Sequence, residues 1–320
     1  MTDFRFAVLG AGSIANKFCS AVALVDHCRV CAVASKSRSR AEDFAYRHGI
    51  ARCYDDYETL LERERPDCVY IAVTVNDHFR LTMMCIERGI PVLCEKAMFS
   101  SSEEARRAFT RAAERRVFVM EAMWSRFLPA VKKVRQWVEE GRIGIPELCQ
   151  FSIGFAAPED RENRYFSPKL GGGAARDLTV YAYEMTTFIL RQGIRRMAVS
   201  AAWGDTGVDI SDHIAIDFDH TLADLSASIV TKMEERMVIY GRGGKIVLPS
   251  PHFASEAFLY DDRGELAEHF LDEETMVGFT YEIEEAMGCI GAGKLESDVV
   301  PWQDTLDCAM LFDRIDETKA

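Results

Sequence analysis

Four groups of residues have types and spacings suited to chemistry. Gly10-Ala11-Gly12-Ser13-Ile14-Ala15 is a G-x-G-x-x-A turn. In such a turn the first glycine permits a tight bend and the second lets the backbone approach a pyrophosphate. The small final residue lets a helix pack closely on a strand. Ser13 and Ile14 would open that helix, where unpaired N–H groups and the helix dipole favour an anion. About twenty residues further on, where a carboxylate would accept hydrogen bonds from an adenosine ribose, stand Ser35, Lys36, Ser37 and Arg38 instead. Two hydroxyls and two cations suit a 2′-phosphate, which Lys36 or Arg38 would bind by charge-assisted hydrogen bonds. The pattern predicts NADP, with NAD possible. Thr74 and Asn76 form a third group with Glu95 and Lys96, and Asp177 and Tyr181 form the fourth.

The elements that must position these residues alternate. Apolar runs at Phe4–Leu9, Val30–Ala34, Cys53–Tyr54, Cys68–Val73, Val92–Cys94 and Val117–Met120 read as strands. Helical patterns separate them at Ile14–Leu24, Arg40–Arg47, Tyr57–Glu64 and Phe79–Arg88, and a last one opens at the capping box Ser101-x-x-Glu104. Strands without polar alternation, each followed by an amphipathic helix, predict a doubly wound parallel sheet covered on both faces. In such sheets ligands bind outside the carboxyl ends of the strands, near the switch in strand order. Thr74, Asn76, Glu95 and Lys96 follow the fourth and fifth strands and are expected beside the nicotinamide half of the cofactor. Taken alone, a lysine such as Lys96 is more often a surface residue, and its place at this edge makes it a candidate.

After Met120 the rhythm changes. A helix over Ala130–Glu140 is followed by β-like runs at Leu148–Phe155, Met197–Ala202, His213–Phe218, Ala223–Ile229 and Met237–Tyr240. Helical patterns fall near Ala174–Leu190, Tyr281–Ile290 and Thr305–Ile315. Strand joined to strand predicts an α+β domain with a mostly antiparallel open sheet and helices on one face. The expected domains are residues 1–121, binding the dinucleotide, and 122–320, shaping the substrate site and oligomer contact. In the second, Asp177 and Tyr181 lie four apart on a helix and share one face. Alone, each has an ordinary explanation: a first-turn acid and a core aromatic.

Bulk properties narrow the function. The chain has 320 residues and a formal charge of −13, which disfavours non-specific nucleic-acid or anionic-membrane binding. The N-terminus does not resemble a secretion signal, and no apolar run reaches the roughly 18–20 residues that span a bilayer. The ten cysteines are mostly isolated among apolar residues, as reduced cytoplasmic thiols are. Cys28 and Cys31 have C-x-x-C spacing, but on a strand they point to opposite faces, so no metal site is expected.

Together, Ala7–Ala15, Pro91–Met98, Glu121–Pro129 and Gly171–Tyr181 resemble the Gfo/Idh/MocA oxidoreductase family over essentially the whole chain. The run Trp124-Ser125-Arg126-Phe127 is similar to the branch with dihydrodiol dehydrogenases and NADP-dependent xylose dehydrogenases. The resemblance implies reversible hydride transfer between NADP(H) and a CH–OH or carbonyl carbon of a sugar, cyclic polyol or trans-dihydrodiol. It also implies a catalytic lysine, aspartate and tyrosine at Lys96, Asp177 and Tyr181. Trp124 and Arg126 are expected near the cofactor, and a homo-oligomer is implied. Tyr181 would act as acid/base, Lys96 would lower its pKa, and Asp177 would orient the pair; alternatively Lys96 itself moves the proton.

Three positions depart from the family pattern. Ala97 replaces the proline after the lysine, Phe79 replaces a histidine although His78 precedes it, and Thr179 replaces a glycine. A cofactor-binding sensor without turnover is the competing expectation.

Overall fold

The computed structural model describes residues 3–158, 160 and 162–319. Met1, Thr2, Glu159, Arg161 and Ala320, which fall within the two expected domains, lie outside the described residues. The chain divides into two compact units. Residues through Trp124, with Val277–Leu306, form the first; Ser125–Met276, with the residues from Asp307, form the second.

The first unit alternates β1 (Phe4–Leu9), α1 (Ser13–Val22), β2 (Cys28–Ala34), α2 (Arg38–His48), β3 (Cys53–Tyr54), α3 (Tyr57–Glu64), β4 (Cys68–Ile71), α4 (Val75–Glu87), β5 (Val92–Glu95), α5 (Ser102–Arg115) and β6 (Val119–Ala122). The strands form one parallel sheet in the order β3-β2-β1-β4-β5-β6. Every residue of β4, β5 and β6 is buried, which explains their unbroken apolar reading. The order reverses between β1 and β4, so the ends of those strands flank the switch point. The fourth helix starts at Val75, four residues earlier than the apolar pattern indicates. Thr74 is extended at its N-cap, and Asn76 therefore sits in the first helical turn.

The second unit contains α6 (Pro129–Glu139), β7 (Pro146–Gly154), a π-turn (Ala175–Thr179) running into α7 (Val180–Leu190), and then β8 (Ile194–Trp203), β9 (Asp209–Phe218), β10 (Leu222–Ser228), β11 (Arg236–Gly241), β12 (Gly244–Pro249), β13 (Glu256–Asp261) and β14 (Leu266–Leu271). Its eight strands are ordered β14-β13-β12-β11-β7-β10-β9-β8. All pairings are antiparallel except β7 with β10. Leu225 pairs with Phe151 on one side and Ile214 on the other, and all three are buried on the helix-covered face. The last three strands carry mixed half-buried residues between Gly-containing turns, so period-2 alternation did not single them out.

The segment Val277–Leu306 packs with the first unit. It holds α8 (Phe279–Gly291) and the start of α9 (Trp302–Asp316). It covers the outer edge of β6: Val119 donates to the Leu295 carbonyl (3.0 Å), and the Trp302 indole donates to the Val119 carbonyl (2.7 Å). A buried sheet edge is satisfied in this way. Among the described residues no helix is long and apolar enough to cross a membrane.

Candidate active site

In the first unit the glycine-rich turn has the geometry its sequence implies. Gly10 has φ +110°, and a Cβ there would meet the Ala72 carbonyl oxygen at 2.2 Å, so only glycine fits. Gly12 is the extended N-cap of α1, and a Cβ there would enter open space. No side chain caps α1 and its first turn carries no acid, so the turn of Ser13 and Ile14 suits a phosphate. At the end of β2, Ser35 is buried and Ser37 caps α2 by accepting the Arg40 N–H. Lys36 and Arg38 are exposed. Lys36 pairs with Asp77 (2.6 Å), and Arg38 pairs with Glu42 (2.7 Å) within its own helix. Solvent-exposed pairs of this kind exchange readily, and a phosphate dianion competes well for such cations.

The Lys96 loop is held from both sides. The two ring nitrogens of buried His78 face the carbonyl oxygens of Val73 (3.1 Å) and Ala97 (3.0 Å), after β4 and β5 respectively. Burial lowers the His78 pKa, and the two carbonyl contacts oppose that shift. Glu121 accepts the Met98 N–H (2.9 Å) and the Thr305 hydroxyl (2.8 Å). The Lys96–Ala97 peptide is cis. Lys96 itself is partly exposed.

Two expected cofactor contacts lie elsewhere. Glu95 turns into the core, where its carboxylate accepts the Tyr70 hydroxyl, and burial raises its pKa to about 7. Arg126 is fully buried in the second unit. Its guanidinium donates to the Glu184 carbonyl (2.8 Å) and pairs with the Glu184 carboxylate (2.5 Å), so it braces α7 instead of facing a ligand. Trp124 is buried and stacks on Phe279 at 5.1 Å within the first unit.

In the second unit Asp177 lies in the π-turn and Tyr181 in the first turn of α7. Asp177 pairs with Arg164 at 3.2 Å. π-turns inserted before a helix are frequent at functional sites because they re-aim side chains. A buried carboxyl pair on β9 fixes this one. Asp209 accepts the Ala175 N–H (2.5 Å), and Asp212 accepts the Thr179 hydroxyl (2.6 Å). The pairing of β8 with β9 skips Ile210, a bulge that returns Asp209 and Asp212 to the same face. Burial first, and the neighbouring Asp209 second, raise the Asp212 pKa to about 8. Thr179, which departs from the family's glycine, is thus one of the two anchors of the turn.

Sequence reasoning missed Asp209, Asp212, Glu184 and a pair beside Tyr181, His252 with Glu235. The bulge hid the first two. The others lie far apart in sequence and were joined by no motif. All ten cysteines are free, and burial raises the thiol pKa of both Cys28 and Cys31, the former to about 12.

Comparison with known proteins identifies the family of the chain. Residues 4–123 match the profile of an oxidoreductase family with an NAD-binding Rossmann fold, and residues 131–247 match the GFO/IDH/MocA C-terminal domain. The two matches cover most of the chain, and the protein belongs to the Gfo/Idh/MocA family of oxidoreductases. It is 27% identical to a trans-1,2-dihydrobenzene-1,2-diol dehydrogenase from Danio rerio, over 98% of this chain and 96% of that protein. In fold it is similar to an aldose-aldose oxidoreductase from Caulobacter crescentus (TM-score 0.90, 17% identity, 99% and 97% of the two chains). It is also similar to KijD10, a 3-ketoreductase from Actinomadura kijaniata solved with NADP and TDP-benzene (TM-score 0.89, 22% identity, 100% and 98%).

Proposed function

We propose that the protein transfers a hydride reversibly between NADP(H) and a CH–OH or carbonyl carbon of a sugar, cyclic polyol or trans-dihydrodiol. The observation that carries this reading is the Lys96 loop. His78 and Glu121 hold it at the carboxyl ends of β4 and β5, in the same unit as the uncapped N-terminus of α1. The 3-ketoreductase and diol-dehydrogenase names of similar proteins favour the same substrate class. NADP is favoured over NAD by Lys36 and Arg38 at the end of β2 and by the absence of a carboxylate from the Ser35–Arg38 run.

Bound nicotinamide supplies a carbon that accepts or returns the hydride. Thr74 and Asn76 would lie beside the nicotinamide half, and Gly12, Ser13 and Ile14 would hold the pyrophosphate. Lys96 binds the substrate oxygen. Tyr181 takes or gives the hydroxyl proton: its ordinary pKa of about 10 is too high for a base near neutrality, and a nearby ammonium would favour the phenolate. Asp177, braced by the π-turn, orients the pair. In a second version Lys96 itself moves the proton.

The ten free thiols suit a reducing compartment, and we place the protein in the cytoplasm as a homo-oligomer. The uncovered face of the eight-stranded sheet supports the oligomer. Leu148 and Leu222 are paired across strands there and are each about half exposed.

The test is cofactor reduction by the purified protein over a panel of aldoses, inositols and trans-diols, with NADP and NAD. Turnover preferring NADP by tenfold or more, and losing that preference in a Lys36→Ala/Arg38→Ala variant, is expected. Tight NADPH binding with no turnover across the panel would favour a sensor.

A further inference from the structure

The run Trp124-Ser125-Arg126-Phe127 has a role in the second unit that its sequence does not announce. Arg126 clamps α7 through Glu184, three residues after Tyr181. Ser125 donates to the carbonyl of His252 (3.0 Å). The two neighbours thus secure the helix that carries Tyr181 and the segment that carries His252, and the two rings lie against each other, with centroids 5.0 Å apart and planes inclined at 40°.

His252 is also fixed from its other side. β11 and β12 form a hairpin in which Arg236 pairs with Pro249, so Glu235 and Ser250 meet just beyond its end. Ser250 donates to the Glu235 carbonyl (3.0 Å) and takes a left-handed conformation, φ +44°, that swings the next residues back. The Glu235 carboxylate then accepts the backbone N–H of His252 (3.3 Å) and contacts its Nδ1. A carboxylate at Nδ1 selects the tautomer with its proton there and leaves Nε2 as a base. Tyr181 is buried, whereas the side chains of His252 and Glu235 are each partly exposed to solvent.

We propose that His252, held by Glu235, is a proton relay that connects the Tyr181 hydroxyl with solvent. This rests on the reading of Tyr181 as the acid/base. During oxidation the substrate O–H bond breaks and the proton bonds to the Tyr181 oxygen, while the carbon's hydride passes to the nicotinamide. The phenol O–H bond then breaks towards His252 Nε2, directly or through one water, and regenerates the phenolate. The resulting imidazolium keeps its Nδ1 proton on the Glu235 carboxylate and releases the Nε2 proton to water. Reduction runs the same steps backwards. The charged or titratable groups facing His252 are Tyr181 from α7 and Glu235 from the hairpin end; Ser125 brings an uncharged hydroxyl.

The first test needs no turnover. In cofactor-free protein labelled with ring-¹⁵N histidine, the neutral His252 ring should be the Nδ1–H tautomer. Glu235→Ala, which removes the acceptor at Nδ1, should abolish that tautomer preference. An Nε2–H tautomer in the parent, or a tautomer ratio unchanged in Glu235→Ala, would overturn the relay even if the protein turns nothing over.

The second test uses a substrate from the panel. His252→Phe, which keeps a ring against Tyr181, and His252→Gln should each lower kcat about a hundredfold with KM within about twofold. Added imidazole should restore much of the rate. Retained kcat, or a loss that imidazole leaves untouched, contradicts the relay. Tyr181→Phe separates the two claims: near-full turnover there defeats Tyr181 as acid/base, whereas its collapse beside an unaffected His252→Phe defeats the relay alone.

Discussion

Asp212 carries a consequence measurable without substrate. Burial and Asp209 raise its folded-state pKa from 3.8 to about 8, so the native protein holds this proton more tightly than the unfolded chain does. The stabilising contribution is full below about pH 4 and falls as the pH rises towards 8, where the folded protein must ionise a buried carboxyl. Asp212→Asn removes the titration and can still accept the Thr179 hydroxyl. The denaturation midpoint of the variant should therefore fall less between pH 5 and pH 8 than that of the parent. A parallel fall in both proteins would contradict the assignment. Single residues were unevenly legible in the sequence. Gly10 and Gly12 were readable because a strand–turn–helix leaves little choice at those positions. Asp209 and Asp212 were not, because residues three apart on a regular strand face opposite ways and nothing in the chain marks Ile210 as a bulge. Glu95 was expected at a ligand from its place after the fifth strand and Arg126 from the Trp124–Phe127 resemblance, and each has a buried protein partner.

Among the elements, α7 shows how much a short motif can hold in place. Its residues are apolar or buried on nearly every side, and its orientation depends on Arg126 in the segment before α6. Breaking a buried ion pair by removing one partner costs about 3–5 kcal/mol, because the other charge is left uncompensated. Arg126→Met should lower the stability of the protein by about that amount in denaturant unfolding. Adding Glu184→Leu should recover much of it, since a matched apolar pair has no charge to desolvate. A double variant no more stable than the single one would show that the pair does not act as a unit. At this scale the alternating strands and helices of the first unit were legible, because parallel strands buried on both faces read as unbroken apolar runs. The π-turn was not. One added residue in a helical turn leaves the spacing of Asp177 and Tyr181 compatible with an ordinary helix, and its cause is the Thr179–Asp212 bond across to β9.

For the whole molecule, the sequence indicated two folding units but placed a single boundary between them. The return of Val277–Leu306 to the first unit is a long-range event, driven by the open edge of β6 and by Trp302 against Phe109, which local patterns do not encode. The proposed homo-oligomer belongs to this scale as well. Leu222→Glu, on the uncovered sheet face opposite Leu148, should shift sedimentation towards the monomer without changing the thermal midpoint by more than a few degrees. A variant that keeps the parent's sedimentation coefficient would place the contact elsewhere. The proposed roles of Lys96 and Tyr181 are tested together in the full chain. The most direct test is single-turnover reduction of bound NADP by an active polyol, comparing the parent with Lys96→Ala and Tyr181→Phe. A loss of about a hundredfold or more in both variants, with NADP affinity kept within about threefold, is the predicted result. Hydride transfer at the parental rate in Lys96→Ala would contradict it.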